Sequence, residues 1–148
     1  MRRPARTRDA SGELRMVEKR APCFSPRMNS QTAFRISAAL GFLAVALGAF
    51  GAHGLHALLE KNARLATWET AVLYHLTHAV VMLIISTLRP LRITAWWLML
   101  AGIVIFSGTL YTLALTNVKW LGAITPLGGV CLLAGWLALA FGKTRQSA

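Results

Sequence analysis

Four histidines, a glutamate and two tyrosines lie in or beside long apolar stretches of this chain, and they are its first candidates for chemistry. His53 and His56 are three apart, as are His75 and His78. That spacing puts each pair on one face of a helix. Neutral imidazole is a common metal ligand. Two imidazoles at matched depth on facing helices are a haem-ligating arrangement. Together with Glu69, Tyr74 and Tyr111 they also have the make-up of an intramembrane proton relay. Ser107, Thr109, Thr112 and Thr125 add hydroxyls. The plainer reading is that these groups only hydrogen-bond between helices, at typically ~0.6 kcal/mol per contact. The residues favour that plainer reading and assign neither a metal nor a cofactor.

The elements that must hold these groups follow from the charge pattern. The 148 residues are 55% hydrophobic, yet the net charge is +11. A membrane protein combines those traits readily, because its charges gather outside the spans. No Lys, Arg, Asp or Glu occurs in residues 36–59, 70–88, 93–118 or 120–142. Each window matches the ~20 residues that a helix needs to cross a ~30 Å hydrocarbon core. The sequence predicts an all-α membrane protein of four antiparallel transmembrane helices with short loops. The spans are expected at about 36–59, 69–88, 94–116 and 121–142, within a domain covering 30–145. The first window is too long for the h-region of a cleaved signal peptide, so it is read as an uncleaved helix.

Residues 1–29 are expected to be a disordered basic tail, interrupted by Pro4, Pro22 and Pro26 and poor in large apolar residues. Such a tail can meet anionic headgroups, and Met28 reads as an alternative start that would make it an upstream extension. The other cations set the topology. Arg35, Arg89, Arg92, Lys143 and Arg145 lie on the side of the termini, against Lys61, Arg64 and Lys119 on the other. The richer side tends to stay cytoplasmic, which predicts that both termini are cytoplasmic. Trp68 and Trp120 then mark the outer membrane level, and Trp96 and Trp97 the inner. The charge flanks spans and shows no recognition motif, so nucleic acid is excluded as a partner. The expected partner is the lipid bilayer, with a second copy or another membrane protein left open. Cys23 and Cys131 imply no disulfide framework.

With a rise of ~1.5 Å per residue, His53 and His75 both fall about 9 Å below the outer face. Tyr111 and Thr125 fall near that depth. The expectation is one polar layer in the outer half, centred on His53 and His75, with Glu69, Tyr74, His78, Ser107, Tyr111 and Thr125 as its other members. Small residues should form the packing seams: Ala44, Gly48 and Ala52 in the first span, Gly128, Gly135 and Gly142 in the fourth. The glycine-rich run 48–54 lies in a span and follows no strand, so it is no dinucleotide fingerprint. No nucleophilic triad or P-loop is present, and no enzyme activity is expected.

Four ordered motifs carry a resemblance. They are Gly48-Ala49-Phe50-Gly51-Ala52-His53-Gly54-Leu55; Trp68-Glu69-Thr70-Ala71 followed by Tyr74-His75 and His78-Ala79; Phe106-Ser107-Gly108-Thr109-Leu110-Tyr111; and Leu121-Gly122-Ala123-Ile124-Thr125-Pro126-Leu127-Gly128-Gly129. Together they resemble the YgdD/YwdK-type small inner-membrane proteins, a family of unknown function, over about residues 30–142. The resemblance implies a four-helix protein of the bacterial cytoplasmic membrane and no established activity. His56 and residues 1–27 lie outside the family pattern.

Overall fold

The computed structural model describes residues 6–8, 14–16 and 28–142. Within the tail it describes two three-residue strands, Arg6–Arg8 and Leu14–Met16, paired antiparallel with Thr7 opposite Arg15. Residues 1–29, expected to be a basic tail, include this short pair. The rest of that expectation lies outside the described residues, as does Cys23. Residues 28–142 are all helical apart from turns and connections.

Four helices are long and apolar enough to cross a bilayer: Ser30–Ala52, Leu65–Thr87, Ile93–Thr116 and Leu121–Phe141. The last three agree with the expected windows to within a few residues. The first is displaced. It starts at Ser30, where the Asn29 side chain caps it by accepting from the Gln31 N–H. It stops at Ala52, seven residues before the expected end at 59. There the Leu55 N–H reaches back to the Phe50 carbonyl at 2.8 Å, and the chain turns through His53, Gly54 and Leu55. A short helix, His56–Lys61, follows. A run without charges marks the apolar stretch but cannot register a turn inside it.

The helices pack in sequence order, first on second, second on third, third on fourth. The first span turns small residues, Ala33, Ser37, Ala44 and Gly51, toward the bundle, and leaves Phe34, Phe42 and Phe50 outside. Gly48 is half-buried, and a Cβ there would stand 3.2 Å from Val72. Ala44, expected on that face with Gly48 and Ala52, is buried, Ala52 is exposed, and the buried Gly51 stands at the early helix end. Gly128 and Gly135 are buried. A side chain at Gly128 would strike the Phe106 backbone, and one at Gly135 would crowd Met99 at 2.9 Å.

The third span is continuous but contains a π-turn at Ile103–Ser107. It ends at Asn117, which takes the left-handed conformation (φ 56°). Asparagine accepts that conformation more readily than most residues. Pro126 is the sixth residue of the fourth span, slightly deeper than the first turn where proline is best tolerated. At the end of the bundle where the first span begins and the fourth ends, called the inner end and its opposite the outer end, an apolar cluster gathers Ala33, Met82, Ile85, Trp96, Met99 and Ile103. An outer one gathers Leu59 of the short helix, Trp68 and Ala114.

Candidate functional site

The expected polar residues do not form one cluster; they pair helix by helix. His75 is 3% exposed, and its Nδ1 lies 3.4 Å from the Tyr111 hydroxyl on the third span. Tyr111 in turn packs edge-on against the Trp68 indole, with centroids 4.7 Å apart. Trp68 donates its indole N–H to the Leu47 carbonyl of the first span at 3.1 Å. Three helices are thereby linked through one chain of side chains.

His78 belongs to a second group. The Trp136 indole N–H of the fourth span donates to His78 Nε2 at 3.2 Å. Because Nε2 accepts, Nδ1 carries the proton and donates to the Tyr74 carbonyl at 2.8 Å. Both ring nitrogens are engaged, which leaves no lone pair for a metal. The Tyr74 ring lies against Phe106, 4.6 Å between centroids, and is itself 41% exposed. A third group joins the third and fourth spans through the Thr109 and Thr125 hydroxyls, 2.9 Å apart.

His53 does not join these groups. It is the exposed residue just past the end of the first span. Gly51 lies against Trp68, and His75 is seven residues, about 10 Å, deeper than Trp68. The expectation that His53 and His75 share a centre is therefore corrected. The depth estimate assumed a helix running on to residue 59, whereas the helix ends at Ala52. Glu69 is exposed on the second span, away from the His75 side. His56 pairs locally with Glu60 at 3.5 Å. Among the described residues no three His, Cys, Asp or Glu side chains converge.

Two buried polar atoms have no partner within the described protein: His75 Nε2 and the Oγ of Ser107, which is 1% exposed. Ser107 closes the π-turn, which packs against the second span. π-turns interrupt helical pairing and often coincide with functional positions.

The tryptophans carry more of the structure than their interfacial placement suggests. Trp68 and Trp96 are buried, and the Trp96 indole N–H donates to Ser37 of the first span at 3.1 Å. Trp97 and Trp120 remain exposed, as expected of interfacial rings. Asn62, which the sequence reading passed over, donates to the Ala114 carbonyl at 3.0 Å and ties the short outer helix to the third span. The available signal was chemical: a Trp, Asn or Ser next to an apolar run carries a polar group that needs a partner.

Four apolar helices tied by side-chain hydrogen bonds define a small polytopic membrane protein. The chain belongs to the family described as "Protein of unknown function (DUF423)", whose profile matches residues 47–129, more than half of its length. It is similar to the UPF0382 membrane protein YwdK of Bacillus subtilis (strain 168), 47% identical over 103 residues, covering 66% of this chain and 83% of that protein. A UPF0382 membrane protein of Haemophilus influenzae is 41% identical over 113 residues, covering 72% and 88%. A third, SAB0533 of Staphylococcus aureus (strain bovine RF122 / ET3-1), is 45% identical over 101 residues, covering 66% and 82%. No solved structure matches the chain.

Proposed function

We propose that this chain is a non-enzymatic component of the bacterial cytoplasmic membrane, with both termini in the cytoplasm, whose outer-half polar side chains fix the packing of its helices. The observation that carries this reading is His78. Its two ring nitrogens are both spent on helix-to-helix and helix-internal bonds, as befits a structural tie. The Tyr111–His75 and Thr109–Thr125 pairs act alike. Lipid offers no hydrophobic drive to bring helices together, so such bonds and close packing set their arrangement. The topology rests on the Lys and Arg excess beside the termini. It is tested by a C-terminal fusion to a reporter active only outside the cytoplasm; activity of that reporter overturns it.

A second reading, small-solute or proton handling, is favoured by one observation: the unpartnered His75 Nε2 and Ser107 Oγ. Its test is vesicles containing the purified protein and given a pH gradient. Decay no faster than in empty vesicles sinks this reading. Faster decay that His75→Ala abolishes replaces the purely structural one.

A further inference from the structure

A cleft of about 540 Å3 lies between the outer ends of the first two spans, below the short helix. Its walls are Gly48, Gly51 and Ala52 on one side and Leu65, Val72 and Leu76 on the other. From Leu65 to Leu76 the second span rises about 16 Å, half of a ~30 Å hydrocarbon core. The cleft is thus one leaflet deep. Its deeper part is apolar and its upper part is not. Glu69 and His56 also line it. His56 is held by Glu60, and among the described residues the Glu69 carboxylate has no cationic partner. Lys61 ends the short helix, and Arg64, which precedes the second span, donates its Nε–H to the Asn117 Oδ1 at 3.1 Å.

We propose that this cleft seats one chain of an aminophospholipid of the phosphatidylethanolamine type. The lipid's ammonium lies against Glu69. The length fits a single-leaflet acyl chain. The polarity fits an amphiphile, and a carboxylate in the upper part with no cationic partner among the described residues fits a headgroup that carries an ammonium. An anionic headgroup without an ammonium would set its charge against Glu69. The inference rests on the bilayer-spanning fold alone. It does not depend on which membrane face the cleft occupies or on the packing role of the histidines.

The test is native mass spectrometry of the full chain in mild detergent, titrated with phosphatidylethanolamine or phosphatidylglycerol bearing identical acyl chains. The expected result is about tenfold tighter retention of the ethanolamine lipid, the effect of one charge-assisted hydrogen bond. Glu69→Gln should erase that preference. Ala52→Trp, which places a ring at the cleft wall, should reduce retention of both lipids. Equal retention by the native protein, or preference for the glycerol lipid, overturns the proposal. So does a Glu69→Gln protein that keeps the preference. Unchanged retention in Ala52→Trp shows that the lipid binds elsewhere. Should Glu69→Gln fail to accumulate, the native comparison and Ala52→Trp decide the question.

Discussion

In the inner half of the bundle, Met82, Ile85, Met99 and Ile103 close around the Trp96 ring, whose bond to Ser37 is the buried polar tie, with an exposed one from Arg89 to Ser30 at the rim. In the outer half the same helices meet through Tyr111 and His75, Thr109 and Thr125, Trp68 and Leu47, and Asn62 and Ala114. The inner half is held by shape and the outer half by direction. Dispersion between fitted side chains survives in lipid because it depends on packing density and not on leaving water. Hydrogen bonds add little energy there, but they specify which faces meet. The consequence is an uneven distribution of stability, and substitutions can be chosen to break it.

The largest effect is expected in the inner half. Trp96→Ala removes a wholly buried ring and leaves a cavity, a change that costs about 3–5 kcal/mol in packed interiors. Unfolding in mixed micelles, followed by circular dichroism, should show that loss. A change under 1 kcal/mol would mean that the inner plug is not the stabilising half. Next comes Gly128→Val, which forces its branches into the Phe106 backbone and should cost about 1–3 kcal/mol or more. Gly129→Ala serves as its control, because a Cβ there meets Phe106 at an ordinary 3.8 Å. If the two glycines respond equally, close approach of the third and fourth spans is not what Gly128 serves.

The outer half should respond more mildly. His75→Ala and Tyr111→Phe should be non-additive, with a coupling near the ~0.6 kcal/mol typical of hydrogen bonds between membrane helices. His53→Ala should change stability by less than about 0.5 kcal/mol and should add independently to His75→Ala. A coupling between the two histidines above that level would restore the single centre that the sequence suggested. At the small end, a chain starting at Met28 should insert and accumulate like the full chain, measured by membrane fractionation.

How far the sequence foretold this comparison depends on which physical signal each feature leaves. Charge-free windows located Leu65–Thr87, Ile93–Thr116 and Leu121–Phe141 closely, because length and polarity fix a span. They misplaced the end of the first span, because the turn at His53–Leu55 involves only uncharged residues and His53. His53 was misplaced with it. Gly128 and Gly135 were legible as packing residues, since small residues at sevens share a face. His75, Tyr111 and Thr125 were legible as polar groups within spans, but not who pairs with whom. Pairing depends on helix rotation, and an apolar span surrounded by lipid shows little amphipathic pattern from which rotation can be read. Trp68 and Trp96 went unrecognised as ties because their type is equally at home at the interface.

The π-turn at Ile103–Ser107 has a consequence for helix phase. Along the third span, Met99, Ile103 and Ser107 are buried and Tyr111 half-buried, each four residues from the last. In an unbroken α-helix, steps of four advance the facing direction by about 40° each, so three steps would swing Tyr111 roughly 120° away from Met99. One additional residue in a wide turn takes up about 100° of that drift. The turn works like a vernier, resetting the outer segment so that it presents Tyr111 to His75 while the inner segment presents Met99 to the plug. Removing a single residue from Ile103–Ser107 would turn the wide turn into an ordinary α-turn and leave Tyr111 within about 20° of the Met99 face, whereas tightening the turn with every residue kept would rotate one half of the span by about 100° out of mesh with its neighbours.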